Sequence, residues 1–282
     1  MNRSPRSLLW ATDIDVLPPN RVVERREGYR LIRSPTHPGH YWGNLLLFDN
    51  PAAAADGARW QRLFAEEFGS DPRVQHQTFA WDVIDGALGC ARAEFVSHGF
   101  ELEQTVGLLA APARLRAHPR ENRDVQVRAL DPAVGADEQL WEAVVELQVA
   151  GRDASRTEAS AEAFSRRRLQ DLRVLFASGR GAWYVALAAG QRKVLGCCGV
   201  VVTAARGRFQ AVDTAAAYRR QGICSRLVVQ AARESVQRHG ARCLVIGADL
   251  DYHALGLYES LGFQRRERVC GVYRPPSGDR ST

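Results

Sequence analysis

Lysine is almost missing from this chain: Lys193 is alone among 38 basic residues, and all the others are arginine. Met1 is the single methionine. Missing too are any C-x-x-C pair, any histidine at zinc-ligand spacing from a cysteine, and any block of five or six like charges. Without the first two, no metal site is expected. Without basic runs interleaved with aromatics, no nucleic-acid partner is expected. The only apolar cluster near the N-terminus is Leu8, Leu9 and Trp10, too short for a secretory core or a bilayer span. No membrane partner is therefore expected, and a cytoplasmic location is the default. The cysteines (Cys90, Cys197, Cys198, Cys224, Cys243 and Cys270) fall mostly inside apolar runs, where a free thiol behaves as a small hydrophobe, which suits a reducing compartment.

What is present describes an ordinary globular protein. Of the 282 residues 45% are hydrophobic and 25% charged, enough to build one large or two moderate cores. Residues 110–123 carry Pro112, Pro119 and four arginines with no sustained apolar period, and read as a linker. The expected domains are 1–110 and 125–282, joined through 111–124. In the second, alternation predicts a strand at 125–129 and helical spacing predicts helices at 137–150 and 158–177. Strands at 182–188, 194–203 and 208–214 follow, separated by short polar turns. An apolar stripe of Ile223, Leu227, Val228, Ala231, Ala232 and Val236 predicts a helix over 223–239, with Gly240 suited to its C-terminal cap. A strand at 243–248, a short helix at 252–261 and a last strand at 269–274 complete a mixed sheet with helices on both faces. The first half is fainter: strands at 22–32, 42–48, 78–81 and 100–110, and helices at 56–68 and 87–98.

The most informative segment is FQAVDTAAAYRRQGICSRL, residues 209–227. A strand ends near Thr214, a loop carries Tyr218, Arg219, Arg220, Gln221 and Gly222, and a long helix begins at once. The first turn of a helix has N–H groups without intrahelical partners and the positive end of the peptide dipoles, so it favours an anion. Gly222 adopts backbone angles closed to other residues and lets a ligand approach the main chain, and two arginines add charge. Read from spacing alone, such a turn also serves a purely structural purpose.

This segment resembles the acyl-CoA-binding signature of the GNAT superfamily of N-acetyltransferases, as Arg219-x-x-Gly222-x-Cys224. DYHALGLYESLGF, from Asp251, looks like the same superfamily's later motif, with Ala254, Tyr258 and Leu261-Gly262-Phe263. The resemblance implies an α/β (α+β) protein of two GNAT-like domains, each a mixed, mostly antiparallel twisted sheet flanked by helices. It implies an active C-terminal module and a degenerate N-terminal one that walls one side of an acceptor cleft. In the N-terminal domain acids follow Trp81 where the arginines would sit, and carboxylates repel a pyrophosphate. Acetyl-CoA is the implied cosubstrate. The backbone at Val212 and Thr214 would pair with its pantetheine amides, and N–H groups from Arg220 through Gln221, Gly222, Ile223, Cys224 and Ser225 would hold its pyrophosphate, with Asp251 as a further coenzyme contact. Tyr258 would act as general acid toward the departing thiolate; taken alone it would read as a packed aromatic. Cys224 departs from the motif's Gly or Ala: it is either a tolerated small residue or a thiol activated by the helix N-terminus and the arginines.

The implied reaction is transfer of the acetyl group to an amine of a small molecule or peptide by direct attack. A non-catalytic acyl-CoA-binding regulatory module is the alternative. An aliphatic ammonium of pKa about 10 must first lose a proton, and Asp213, Asp249 and His253 are the candidate bases, each equally readable as a loop or surface residue. An arylamine would need none.

Overall fold

The computed structural model describes residues 4–152, 157–190, 192–251 and 254–276. In chain order the first elements are α1 (Leu8–Asp15), β1 (Val22–Arg26), β2 (Tyr29–Arg33), β3 (Leu45–Phe48), α2 (Asp56–Phe68), β4 (Gln77–Trp81), α3 (Ala91–Glu94) and β5 (Glu101–Ala110). Then come β6 (Gln126–Ala129), α4 (Glu138–Ala150), α5 (Glu158–Ala177), β7 (Gly181–Leu187), β8 (Val194–Thr203) and β9 (Arg206–Thr214). The last are α6 (Ile223–His239), β10 (Cys243–Asp249), α7 (Leu255–Ser260) and β11 (Gln264–Arg274). Contacts divide the chain into two compact units interleaved in sequence. Unit 1 is Met1–Gly107, Ala248–Asp251 and Arg266–Thr282, and unit 2 is Leu108–Gly247 and Tyr252–Arg265.

In unit 1 the strand order is β1-β2-β3-β4-β11-β5; β1 with β2, β2 with β3 and β4 with β11 pair antiparallel, and β3 with β4 parallel. Trp60, Phe64 and Phe68 recur every four residues on α2, so all three fall on one face and are buried. Trp60 stacks on Phe48 with ring centroids 3.6 Å apart, and Phe79, Trp81, Phe95 and Phe100 extend this aromatic core. The strand expected over 22–32 is a hairpin, β1 and β2, that turns at Gly28 with φ of 81°. The helix expected over 87–98 is a single α turn followed by a 3-10 turn. Leu8–Asp15, not expected as a helix, is one because the Ser7 hydroxyl accepts the Trp10 N–H at 3.1 Å. Asp82 accepts the N–H groups of Arg6 and Ser7 at 2.7 and 2.9 Å just before it.

Unit 2 has the order β10-β9-β8-β7-β6, antiparallel except for β10 with β9. All of β7 and nine of the ten residues of β8 are buried, which accounts for their unbroken apolar sequences. Helix α6 packs over β7, β8 and β9. It begins after Gly222 at φ 76° and ends at Gly240 at φ 70°, two left-handed positions that a side chain would strain.

Within unit 1, burial pushes the Glu103 carboxyl up to about 7, helped by Asp249, against the hydrogen bond that Trp42 Nε1 donates at 3.1 Å. The native chain therefore binds more protons than the unfolded chain between pH 4.5 and about 7, and its stability falls as pH rises through that window. Glu103→Gln, which keeps an acceptor for Trp42, should flatten this slope and raise stability at pH 8 by about 3 kcal/mol. Urea melts at pH 5 and pH 8 check this, and a slope that survives the substitution contradicts it.

Candidate active site in unit 2

Two departures from regular sheet open the site. Between the pairs Cys197↔Asp213 and Gly199↔Gln210, the single residue Cys198 faces two on β9, Ala211 and Val212. This is a β-bulge, with Ala211 at φ 43°. Second, β9 pairs with β10 only from Cys243↔Arg206 to Val245↔Arg208. From Phe209 onward, β9 runs on without its parallel neighbour, leaving main-chain groups at Val212–Thr214 free of that ladder.

A cavity of about 660 Å³ lies along this edge, within the ~300–1,000 Å³ of ordinary ligand clefts. Of the residues singled out in the sequence, it gathers Val212, Thr214, Arg219, Arg220, Gly222, Ile223, Cys224, Ser225 and Tyr258. Gln221 and Asp251 are not among its lining residues. The Gln221 amide donates to the Ala217 carbonyl at 3.2 Å, and Asp251 is an exposed turn residue of unit 1. Asp213 lines the cavity, Asp249 is exposed in unit 1, and His253 lies outside the described residues.

The phosphate end is built by backbone. Arg220 at φ 60° and Gly222 at φ 76° are both left-handed and lead into α6, and the first N–H groups of α6 lack intrahelical acceptors. Arg219 Nε donates to the Thr214 carbonyl at 3.3 Å, and the lone lysine, Lys193, donates to the Tyr218 hydroxyl at 2.8 Å. The Ser225 hydroxyl is spent on the Gly222 carbonyl at 2.8 Å. At the other end Tyr258 is 2% exposed, with Phe263 at a centroid distance of 6.4 Å. Thr214, at the end of β9, lines the same cavity, its side chain beside the Cys224 thiol.

The environment of Cys224 bears on one alternative. Burial, followed by the nearby Asp213 carboxylate, pushes its thiol up to about 12. This favours the tolerated small residue over the activated thiol: Cys224 is half-buried in the cavity wall, and desolvation opposes the helix N-terminus and the arginines. Burial also raises Asp213, against the pull of Arg219.

Sequence reasoning missed His118 and Arg120, which line the cavity from the segment read as a linker. That segment is a strap lying on unit 2. A Cβ on Gly222 would stand 2.1 Å from the Arg120 carbonyl oxygen, and one on Gly262 2.0 Å from the Arg114 carbonyl oxygen. The close approach that requires glycine at these positions is therefore made by the strap. Its four arginines were the available signal. In the first half, Trp81, Asp82 and His76 are buried in unit 1, and burial lowers His76 to about 4. Among the described residues no group of three or more His, Cys, Asp or Glu is placed to hold a metal, and no helix is long and apolar enough to cross a membrane.

Residues 179–265 match the family profile described as "Acetyltransferase (GNAT) domain". The chain carries a GNAT acetyltransferase domain. The matched span holds β7, β8, β9, α6, β10 and α7, that is, both sides of the cavity. No protein of curated function matches the sequence. Among solved structures, a conserved protein of unknown function from Staphylococcus epidermidis is similar at a TM-score of 0.70 and 12% identity, over 90% of this chain and 93% of that one. A GCN5-related N-acetyltransferase from Kribbella flavida gives 0.62 and 14%, over 94% and 93%. A tandem GNAT protein from the clavulanic acid biosynthesis pathway gives 0.55 and 14%, over 97% and 91%. At these identities the likeness is one of fold, and it runs through both units of the chain. The GNAT domain supports acyl transfer in general.

Two outcomes test the site as built. Gly222→Ala forces both a left-handed alanine and a clash with the strap, and should destabilise the chain by about 1–3 kcal/mol. It should also open the strap to trypsin at Arg120 or Arg123; an unchanged melt and digestion pattern would refute the contact. At pH 8, iodoacetamide should label Cys224 far more slowly than unfolded chain, followed by mass spectrometry; equal rates would mean the thiol is not buried.

Proposed function

We propose that unit 2 binds acetyl-CoA and transfers its acetyl group to an amine of a small molecule or peptide. The observation that carries this reading is the convergence, in one cavity, of a strand edge without its neighbour, a helix N-terminus behind a left-handed glycine, and a buried tyrosine. Main-chain groups at Val212 and Thr214 would continue the broken ladder onto an amide-bearing arm. The N–H groups from Arg220 to Ser225, with Arg219 alongside, would hold a diphosphate.

Acetyl-CoA supplies an activated thioester carbonyl. Backbone N–H donors on the β9 edge stabilise the oxyanion as the amine attacks. Tyr258 then donates its phenolic proton to the sulfur as the C–S bond breaks. Asp213 is the candidate acceptor of the proton that the amine must shed. Of the bases named from sequence that lie among the described residues it is the one that lines the cavity, and its raised pKa makes it a stronger base.

Tyr258→Phe should lower kcat by about 10²-fold or more while the dissociation constant of coenzyme A, measured by calorimetry, moves less than about twofold. Release of free thiol from acetyl-CoA with a panel of amines gives the rate. An unchanged rate removes Tyr258 from the acid role, and saturable binding without turnover for any amine replaces the enzyme with a coenzyme-binding module.

A further inference from the structure

The strap is anchored at both ends of its course over unit 2. Near α7, Arg116 donates from its backbone to Leu261 at 3.1 Å and from Nε to the Ser260 carbonyl at 2.8 Å. Near α6, the Asn122 N–H donates to the Gly222 carbonyl at 3.1 Å. Glu121, its side chain only 6% exposed, pairs with Arg226 at 3.5 Å and Arg123 at 3.4 Å. Between these anchors a turn closes with Glu121 N–H on the His118 carbonyl at 2.9 Å, and Pro119 in second place pre-sets its φ. The turn holds His118 and Arg120 on the wall of the cavity, at the end marked by Gly222.

We propose that this strap completes the coenzyme site, with His118 and Arg120 binding the 3′-phosphate of the adenosine moiety. The inference rests on the coenzyme reading above. The α6 N-terminus with Arg219 and Arg220 satisfies one diphosphate, and a third phosphoryl group needs donors of its own. The strap supplies them in usable form. His118 Nδ1 accepts the Arg120 N–H at 3.1 Å, which leaves the proton on Nε2 to donate. Arg120 is exposed, its guanidinium has no hydrogen-bond or ion-pair partner among the described residues, and its fork suits a phosphate. Two donors from a proline-set turn bind with less ordering cost than side chains on a mobile loop.

The test is calorimetry with coenzyme A and with its 3′-dephospho form, on the wild-type chain and on Arg120→Gln and His118→Ala/Arg120→Gln. The wild type should bind coenzyme A roughly tenfold more tightly than the dephospho form. The double variant should bind both equally, at the dephospho affinity of the wild type, which also reports that the rest of the site is intact. As a check that needs no variant, adenosine 3′,5′-bisphosphate should displace coenzyme A from the wild type more effectively than adenosine 5′-diphosphate. Equal wild-type affinity for the two coenzymes, or discrimination that persists in the double variant, overturns the strap's role while leaving the coenzyme reading standing. A wild type that binds neither coenzyme overturns both.

Discussion

The site depends on one backbone contact, the passage of the strap carbonyl of Arg120 beside the α-carbon of Gly222. Only a residue without a Cβ can stand there, because the same position must be left-handed to start α6 and must also admit a second chain segment. The contact fixes the N–H groups of the first helical turn against one wall of the cavity and brings His118 and Arg120 to it. A helix N-terminus alone offers donors in a fan; an anchored strap beside it turns the fan into a bounded cleft. The second left-handed glycine, Gly262 at φ 103°, does the same at the end of α7.

The other half of the cleft comes from interrupted pairing. A parallel ladder that stops after three residue pairs leaves β9 with unspent backbone groups that would be costly if buried dry. The bulge at Ala211 re-aims the strand where this happens, at a cost of about 1 kcal/mol for a non-glycine left-handed residue. Strain of this kind persists where the surrounding structure over-determines it, here by the pairing of β9 with β8 on both sides of the bulge. The free edge, the bulge and Thr214 all fall within four residues of one another.

Much of unit 2 was legible because its signals are local. The stripe from Ile223 to Val236 and Gly240 place α6 to the residue, and α5 likewise follows from its spacing. What escaped depends on distant partners. The α1 helix has little periodicity and forms on a Ser7 cap and on Asp82, 75 residues away in the chain. The hairpin at Gly28 was hidden inside one apolar run. The strap has no pattern of its own, since its course is set by two glycines more than 100 residues downstream, and so its cations could not be assigned to the cavity. Asp251 and Gln221 were expected as coenzyme contacts from motif position, but neither lines the cavity, because a motif fixes neighbours along the chain and not which side of a turn faces inward.

Burial decides which side chains can do chemistry here. At Cys224 desolvation lifts the thiol from 9.0 to about 12, a penalty on the thiolate of about 4 kcal/mol. A helix N-terminus returns at most ~2 kcal/mol to an anion, so the thiol stays protonated where sequence position alone would activate it. Tyr258, 2% exposed, lines the same cavity. An end lined by the buried Tyr258, joined to a cationic end built from backbone and arginine, is an arrangement that separates leaving-group protonation from anion binding.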